Sequence, residues 1–198
     1  MIAEPKIDLS FQLLGRTLHV DHGYALYGAL SRVLPFMHED RNVALKLVRG
    51  RYIGDGMLDI APHSQLVLRL PAGRIGAYLG LAGKTLEVLG QNLTVGVPRT
   101  SALIPAVKLY AQLVTSKNGH DQKRFEAEIA AQKERLGVQG RCTIGKRRTF
   151  RVHDKQVVGY SVHASELTAE ESILLQEHGL GGRRKMGCGF FEAIRSGR

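Results

Sequence analysis

The 198-residue sequence lacks the features that mark secreted and membrane proteins. It has only two cysteines, Cys142 and Cys188, which cannot build a disulfide framework and are typical of reduced thiols in a cytosolic protein. No apolar run is long enough to cross a bilayer. The stretch MIAEPKIDLSFQLLG has no basic start followed by an apolar block, so we expect no signal peptide. We therefore expect a cytoplasmic protein with no membrane partner.

Acidic residues are also fewer than basic ones. Lys and Arg total 28 against 18 Asp and Glu, which gives a formal net charge of +10 and a pI near 9.9. A basic surplus of this size favours a polyanionic partner, nucleic acid above all. The alternative is a surplus that only serves solubility. The cations cluster as KRR at 146–148 and RRK at 183–185, which favours the nucleic-acid interpretation.

Patterns of period two and period 3.6 alternate along the first half of the chain. They predict strands at 7–15, 43–52, 64–71 and 91–97, and helices at 21–35 and 73–90. Asp21 is placed to cap the first helix and Pro35 to end it. The second helix has Ile75, Leu79, Ala82, Leu86 and Leu89 along one face. The resulting order, β-α-β-β-α-β, is that of a ferredoxin-like domain.

The same order recurs in the second half. It predicts a strand at 101–114 with Val107, Leu109, Ala111 and Leu113 on one face, a helix at 121–137, a hairpin of 147–152 and 156–163, a helix at 168–179 and a closing strand at 188–195. Thr168 and Glu171 form a capping box. The predicted fold class is α+β, with two tandem ferredoxin-like domains, 1–98 and 99–198, joined near Pro98 and Arg99. The first holds the candidate catalytic residues and the second a glycine-rich loop.

That loop, GLGGRRKMGCGFF at 179–191, holds five glycines and three consecutive cations. It is not a dinucleotide fingerprint, since G-x-G-x-x-G fails at Arg184, and it is not a P-loop, since no Lys-Ser or Lys-Thr follows a glycine at the required offset. Glycine adopts positive φ freely, so the loop can turn successive N–H groups toward phosphate oxygens. The alternative is a flexible turn with a basic tip.

The stretch GLGGRRKMGCG fits the pattern G-h-G, five residues including a cation, then G-h-G, where h is apolar. It resembles the C-terminal glycine-rich loop of the repeat-associated RNA-binding superfamily of CRISPR systems, and within it the repeat-processing endoribonucleases. Their tandem ferredoxin-like architecture matches the predicted element order over nearly the whole chain. Cys188 departs from the aromatic residue of many members, and we expect it to pack inward as a small apolar group.

The resemblance implies that the loop binds RNA. Its candidate residues are Gly179, Gly181, Gly182, Arg183, Arg184, Lys185, Gly187 and Gly189. The predicted hairpin adds Lys146, Arg147, Arg148 and Arg151, whose alternative role is a solvated edge guarded by charge. The strands lack the aromatic pattern with which RNA recognition modules stack bases. Arginine contacts to the RNA backbone are therefore expected to dominate.

The eight histidines stand in no metal-ligand spacing with Cys, Asp or Glu, so we expect neither a metal nor another cofactor. RNA can be cut without metal when the 2′-hydroxyl attacks the adjacent phosphate. Histidine suits the proton transfers because its unperturbed pKa is about 6.5. Lysine or arginine suits the stabilisation of the extra negative charge.

The resemblance implies a catalytic His38 in MHED and a catalytic Lys46 in LKL. The helix position that is often tyrosine in the family falls on Ser31, and Tyr27, one turn earlier on the same face, is a possible substitute. His22 competes with His38, because some branches use a histidine near the start of this helix. The alternative role for His38 is a solvated loop residue.

Two functions follow from the resemblance. The first is a metal-independent endoribonuclease that recognises the CRISPR repeat hairpin, cuts precursor CRISPR RNA and stays bound to the guide RNA with other subunits of an interference complex. The second is a non-catalytic subunit that holds guide RNA in such a complex. His38 and Lys46 favour the first, and Ser31 in place of tyrosine favours the second. A ribosomal or other structural RNA-binding protein leaves the loop pattern unexplained.

Overall fold

Strand β1 (Lys6–Leu14) forms where the sequence alternates, and it lies inside the first sheet of the computed structural model, which describes residues 4–194. The described chain divides into two compact units between Ala102 and Leu103. Pro98 and Arg99, near the predicted junction, lie within a strand of the first unit that pairs with β1. Within residues 4–194 no helix has the length and apolar character of a membrane span, and no three His, Cys, Asp or Glu side chains are placed to hold a metal ion.

The first unit follows the predicted order with additions. After β1 come β2 (Thr17–His19), α1 (Gly23–Val33), β3 (Ala44–Lys46), β4 (Arg51–Gly54), β5 (Met57–Asp59), β6 (Gln65–Pro71), α2 (Ile75–Tyr78), β7 (Thr85–Val88) and β8 (Gln91–Ala102). Five of these strands form a sheet in the order β3-β6-β1-β8-β7. Leu9 and Phe11 of β1 are buried opposite Leu68 and Leu66 of β6. The alternation in the sequence therefore predicted the buried face of β1 correctly.

Three predictions for this unit are wrong: the cap at Asp21, the strand at 43–52 and the helix at 73–90. Asp21 does not cap α1, because the helix begins one residue later with His22 at the N-cap position and no side-chain capping bond. The strand predicted at 43–52 stops at Lys46, and 51–54 instead joins a small sheet in the order β2-β5-β4. Gly50 lies at the break, where an added Cβ would be 2.5 Å from O of Asp59. The strand turns away so that its backbone can approach β5 this closely.

The helix predicted at 73–90 shrinks to α2 and the 3₁₀ turns on either side of it, Ala72–Arg74 and Leu79–Leu81. Gly83 has a φ of +76°, and Leu89 and Gly90 have φ values of +52° and +79°, which no helix can contain. Leu86 and Val88 are buried between exposed neighbours, so the second half of the segment is the strand β7. Apolar spacing at 75, 79, 82, 86 and 89 suited a helix, but the glycines favoured turns instead.

The second unit contains β9 (Leu109–Thr115), α3 (Gln122–Arg135), β10 (Arg141–Val152), β11 (Lys155–Ser165), α4 (Ala169–His178) and β12 (Phe191–Ala193). Its described strands form one four-stranded sheet in the order β10-β11-β9-β12. The predicted Thr168–Glu171 capping box is confirmed. Val107 was predicted on the buried face, but it is 68% exposed because β9 begins only at Leu109. Arg195 of the predicted closing strand lies outside the described residues.

Candidate active site and nucleic-acid interface

A buried tyrosine contacts an exposed histidine just beyond α1. The Oη of Tyr27 lies 3.0 Å from Nδ1 of His38, and the rings meet edge to face with centroids 5.5 Å apart. His38 ends the 3₁₀ turn Pro35–His38, and its side chain is exposed. The helix stops ahead of Pro35 because proline disfavours the helical conformation in the residue before it. Met37, which is fully buried, anchors the turn and leaves the next side chain facing outward.

Asp40 and Tyr78 hold the loop that follows His38. The Tyr78 hydroxyl donates to Oδ2 of Asp40 at 2.9 Å, and the Arg74 guanidinium reaches the same oxygen at 3.3 Å. The other carboxylate oxygen accepts the N–H of Asn42 at 2.9 Å. Burial, together with the Asp40 hydrogen bond, raises the pKa of Tyr78 well above its usual range. Tyr78 therefore remains a proton donor to Asp40 at neutral pH.

Lys46 is half-buried at the end of β3. It pairs with Val67 of β6, Val67 pairs with Ser10 of β1, and Ser10 pairs with Arg99 of β8. Directly paired residues project from the same face of a sheet. Lys46 therefore shares one face with Ser10 and Arg99, and the leucines of the core occupy the other face.

His22 has both ring nitrogens engaged inside the protein and is only 1% exposed. The N–H of Val48 donates to its Nε2 at 3.0 Å, and its Nδ1 lies 2.7 Å from O of His19. An accepting Nε2 requires that the ring proton sits on Nδ1 in a neutral ring, where it donates to His19. Burial lowers the pKa of His22, which favours this neutral form. The ring ties the start of α1 to the segment after β3.

Ser31 is also enclosed. Its side chain is 3% exposed, and its Oγ has no hydrogen-bond partner among the described residues. It lies one turn after Tyr27, and residues at this spacing share a helix face. Of the residues predicted for catalysis, His38 is exposed and Lys46 is half-buried, whereas Ser31 and His22 are buried.

The glycine segment packs against β9. Gly179, Gly181 and Gly189 have positive φ values of +64°, +77° and +65°. An added Cβ would lie 2.2 Å from O of Gly189 at the first, 2.3 Å from O of Thr115 at the second and 2.3 Å from O of Leu180 at the third. Glycine is required at these positions because a backbone oxygen occupies the space that a side chain would need.

The five glycine N–H groups in this segment all donate within the protein. Gly179 donates to O of Leu175 at 2.9 Å, Gly181 to Oε1 of Gln132 at 2.7 Å, and Gly182 to O of Thr115 at 2.9 Å. Gly187 donates to O of Arg184 at 3.4 Å, and Gly189 donates to O of Leu113 at 2.7 Å. The expectation that these groups turn toward phosphate oxygens is wrong. The segment closes onto β9 and α3, and its backbone hydrogen bonds are used in that packing.

Cys188 and Phe150 connect the glycine segment to the hairpin. Cys188 is fully buried against Phe150, so the inward packing predicted for it is confirmed. Burial raises the pKa of its thiol to about 12, which keeps the group protonated at neutral pH. Because side chains alternate along a strand, Arg148 lies on the Phe150 face of β10, and Arg147 and Arg151 lie on the opposite face.

The cations differ in exposure. Arg183 is exposed at the tip in the left-handed conformation, with a φ of +56°, and Arg184 and Lys185 are half-buried in the 3₁₀ turn that follows. Of the predicted RNA-binding cations on β10, Lys146, Arg147 and Arg151 are exposed and Arg148 is half-buried. Lys146 donates its N–H to Oγ of Ser161 at 2.9 Å, beside the irregularity in the pairing of β10 with β11. The glycines thus form a packed base that presents a basic tip.

The model of the Cas6 Crispr family matches residues 7–196 of this chain. The chain belongs to the Cas6 family. The CRISPR-associated endonuclease Cas6 of Myxococcus xanthus (strain DK1622) is 38% identical over 192 residues, which cover 93% of this chain and 80% of that protein. Family and relative together identify this chain as a member of the RNA-processing CRISPR endonucleases.

Solved Cas6 structures share the fold at low identity. A CRISPR-associated protein Cas6 superposes with a TM-score of 0.72 at 13% identity, over 96% of this chain and 100% of that one. A Cas6-related protein of Pyrococcus furiosus gives a TM-score of 0.67 at 13% identity, over 97% and 100%. The CRISPR endoribonuclease Cse3 bound to a 19-nucleotide RNA gives 0.51 at 13% identity, over 96% and 98%. The predicted α+β fold of tandem ferredoxin-like domains is confirmed.

In this Cas6 chain, sequence reasoning predicted a catalytic His38 but did not predict the residues that contact it and its loop. Tyr27 was only a possible substitute for a tyrosine at position 31, and the structure places its hydroxyl against His38. Asp40 and Tyr78 were not predicted at all. They are 38 residues apart in sequence, and Tyr78 lies in the segment wrongly predicted as a long helix. No local pattern could have paired them.

Proposed function

We propose that this Cas6 chain is a metal-independent endoribonuclease that recognises the CRISPR repeat hairpin and cuts precursor CRISPR RNA in the cytoplasm. It then stays bound to the mature guide RNA with other subunits of an interference complex. The observation that carries the proposal is the exposed His38 imidazole, held at Nδ1 by the buried Tyr27 hydroxyl at 3.0 Å. The Ser31 position favoured a non-catalytic guide-RNA subunit. Tyr27 answers that objection, because it supplies a tyrosine from the same helix face.

The contact with Tyr27 at Nδ1 indicates that Nε2 is the His38 nitrogen that transfers protons. A neutral ring with its proton on Nδ1 donates to Tyr27 Oη, and its Nε2 then carries the lone pair that can take the proton of the 2′-hydroxyl. The imidazolium also donates from Nδ1 to Tyr27, and it can give its Nε2 proton to the leaving 5′-oxygen. In both roles Tyr27 Oη accepts, so the ring need not move between them. A ring with its proton on Nε2 alone serves neither role well, because it lacks a lone pair at Nε2 and is a very weak acid.

The remaining groups supply charge. Attack of the 2′-oxygen on phosphorus breaks the bond to the 5′-oxygen and gives a cyclic phosphate and a 5′-hydroxyl. Extra negative charge develops on the phosphoryl oxygens, and a lysine such as Lys46 stabilises it. The tip cations Arg183, Arg184 and Lys185 bind RNA phosphates, and so do Lys146, Arg147, Arg148 and Arg151. Gly179, Gly181, Gly182, Gly187 and Gly189 contribute by holding the tip in place.

Incubation of the purified protein with labelled cognate repeat RNA in EDTA tests the proposal. The expected products are an upstream fragment with a 2′,3′-cyclic phosphate and a downstream fragment with a 5′-hydroxyl. Dependence of the chemical step on a divalent ion, with a 5′-phosphate product, would falsify it. A protein that binds the repeat tightly and leaves it intact would instead support the guide-RNA-binding subunit.

Three variants test the roles within the first unit. His38→Ala should slow single-turnover cleavage by about 10²-fold or more, the usual scale of general acid–base catalysis, with little change in RNA affinity. Tyr27→Phe should give a smaller loss of about 3- to 10-fold, the equivalent of one hydrogen bond. Ser31→Ala should cleave as wild type, because that hydroxyl is buried. Wild-type cleavage by His38→Ala would remove His38 from the mechanism.

A further inference from the structure

The first sheet carries an open cavity that the proposed catalytic groups do not use. It has a volume of about 380 Å³, within the usual range of small-ligand sites, and all of its lining residues belong to the first unit. Ser10 and Gln12 of β1, Gln65 of β6 and Arg99 of β8 line it from the sheet. These residues lie on the face that carries Lys46, away from the buried leucines.

The chemistry of the cavity is that of a nucleobase site. Gln12 and Gln65 are directly paired and exposed, so two carboxamides project side by side into the cavity. A glutamine carboxamide offers a donor and an acceptor together, which matches the N6 and N7 edge of adenine. Val97, 67% exposed, supplies an apolar surface for the face of a base, and Arg99 supplies an exposed cation for a phosphate.

Gly96 lies directly beside Gln12 on the neighbouring strand. A Cβ there would lie 3.1 Å from Cβ of Gln12 and 3.5 Å from its Oε1. The chain at Gly96 is in a conformation open to any residue, so glycine is not needed there for its backbone freedom. Glycine there leaves room for the Gln12 side chain and for its backbone oxygen, which would lie 3.2 Å from the added Cβ.

The cavity lies near Lys46, the residue proposed to stabilise the charge on the scissile phosphate. Lys46, Val67 and Ser10 are successive partners across three neighbouring strands. Two inter-strand spacings of about 4.8 Å put the backbone of Lys46 about 10 Å from that of Ser10. An RNA strand covers this distance with roughly three stacked nucleotides, or fewer when it is extended. A base beside a phosphate held by Lys46 can therefore reach the cavity.

We infer that this cavity reads one unpaired nucleobase close to the scissile phosphate, with adenine preferred. The inference rests on the proposed function for the identity of the ligand as RNA. It assigns Gln12 and Gln65 as specificity-determining residues. Unpaired RNA bases are read in this way, by hydrogen bonds to their edges and contact with their faces.

The test uses repeat RNAs randomised at the three positions on each side of the cut. Wild type should prefer adenine at one position by about 5- to 100-fold, the scale of a bidentate base contact. Gln12→Ala and Gln65→Ala should each reduce that preference to about threefold or less. Gly96→Ala should do the same by crowding Gln12. Asn92→Ala, an exposed carboxamide elsewhere on β8, is the matched control and should keep the preference.

The affinity of each protein variant for the same RNAs is also measured at equilibrium, so that a base preference can be detected without cleavage. If wild type cuts the RNA and its base preference is unchanged in both glutamine variants, the inference is overturned and the proposed function stands. If wild type does not cut, the proposed function fails, and loss of a binding preference in the glutamine variants but not in Asn92→Ala still supports the cavity. Absence of any base preference in both measurements overturns the inference.

Discussion

Gly181→Ala should destabilise the second unit strongly, whereas the adjacent Gly182→Ala should not. Gly181 has a φ of +77°, and its added Cβ would lie 2.3 Å from O of Thr115 and 2.8 Å from Cγ1 of Val114. At Gly182 an added Cβ meets no atom of the described residues within 4 Å. The substitutions add the same methyl group one residue apart, so the pair compares a positive-φ position packed on β9 with an open position beside it.

The magnitude follows from two contributions. An alanine in the left-handed region costs about 1–2 kcal/mol. The contact with Thr115 must also be relieved by moving the loop from β9, which strains the hydrogen bond from Gly182 N–H to Thr115 O, worth about 0.5–1.5 kcal/mol. The total is about 1.5–3.5 kcal/mol, which lowers the melting temperature of a domain of this size by about 6–28 °C. Gly182→Ala should stay within about 0.5 kcal/mol of wild type.

Calorimetry of both variants and wild type measures the effect, and RNA affinity is then compared well below the lowest transition. If the two variants melt alike, or if Gly181→Ala melts as wild type, the loop is not packed on β9 as described. A loss of RNA binding in Gly182→Ala without a change in melting temperature would instead indicate that the loop backbone itself contacts RNA.

Three further predictions concern side chains. His22→Asn should destabilise the protein by about 1–3 kcal/mol, since it leaves the buried N–H of Val48 unpaired. His22→Gln keeps an acceptor near the Nε2 position and should cost less. Equal melting temperatures of the two variants would contradict this. Because the pKa of His22 is lowered in the folded state, its contribution to stability is present above pH 6.5 and is lost as the pH falls from 6.5 toward the folded pKa; His22→Gln should remove that part of the pH dependence in denaturant melts. Replacing Arg147 and Arg148 together with Ala should reduce the slope of log affinity against log salt by about 1.4–1.8, and an unchanged slope would make them a solvated edge. Tyr78→Phe should lower the single-turnover cleavage rate by about 3- to 10-fold with RNA affinity unchanged, because Asp40 loses one donor; a wild-type rate would show that the Asp40 contact does not position the loop.

The arginine experiment has a control matched in charge. Lys123 and Arg135 are exposed cations on α3, outside the loop and the hairpin. Their double replacement by Ala removes the same charge, and it should change the salt slope less than the Arg147 and Arg148 pair. An equal change in both double variants would mean that net charge alone determines the affinity.

Local sequence signals predicted an element correctly where the sequence fitted only one kind of secondary structure. The alternation of β1 and the capping box of α4 need only neighbouring residues, and both were predicted. The segment 73–90 was ambiguous, because its apolar spacing suits a helix while Leu86 and Val88 also alternate as in a strand. Pairing with β8 decided the outcome, and a partner strand is not visible in a local pattern.

The sequence by itself determined the basic charge, the doubled β-α-β-β-α-β order and the glycine spacing that points to the family. These depend on composition and on short-range periodicity. Only the tertiary structure decided which of the two candidate histidines, His22 and His38, is exposed. The burial of His22 and the Tyr27–His38 contact depend on residues brought together from 11 or more positions apart. It also decided that the loop glycines pack against β9, since a glycine that frees the backbone and one that lets another strand approach look identical in a sequence.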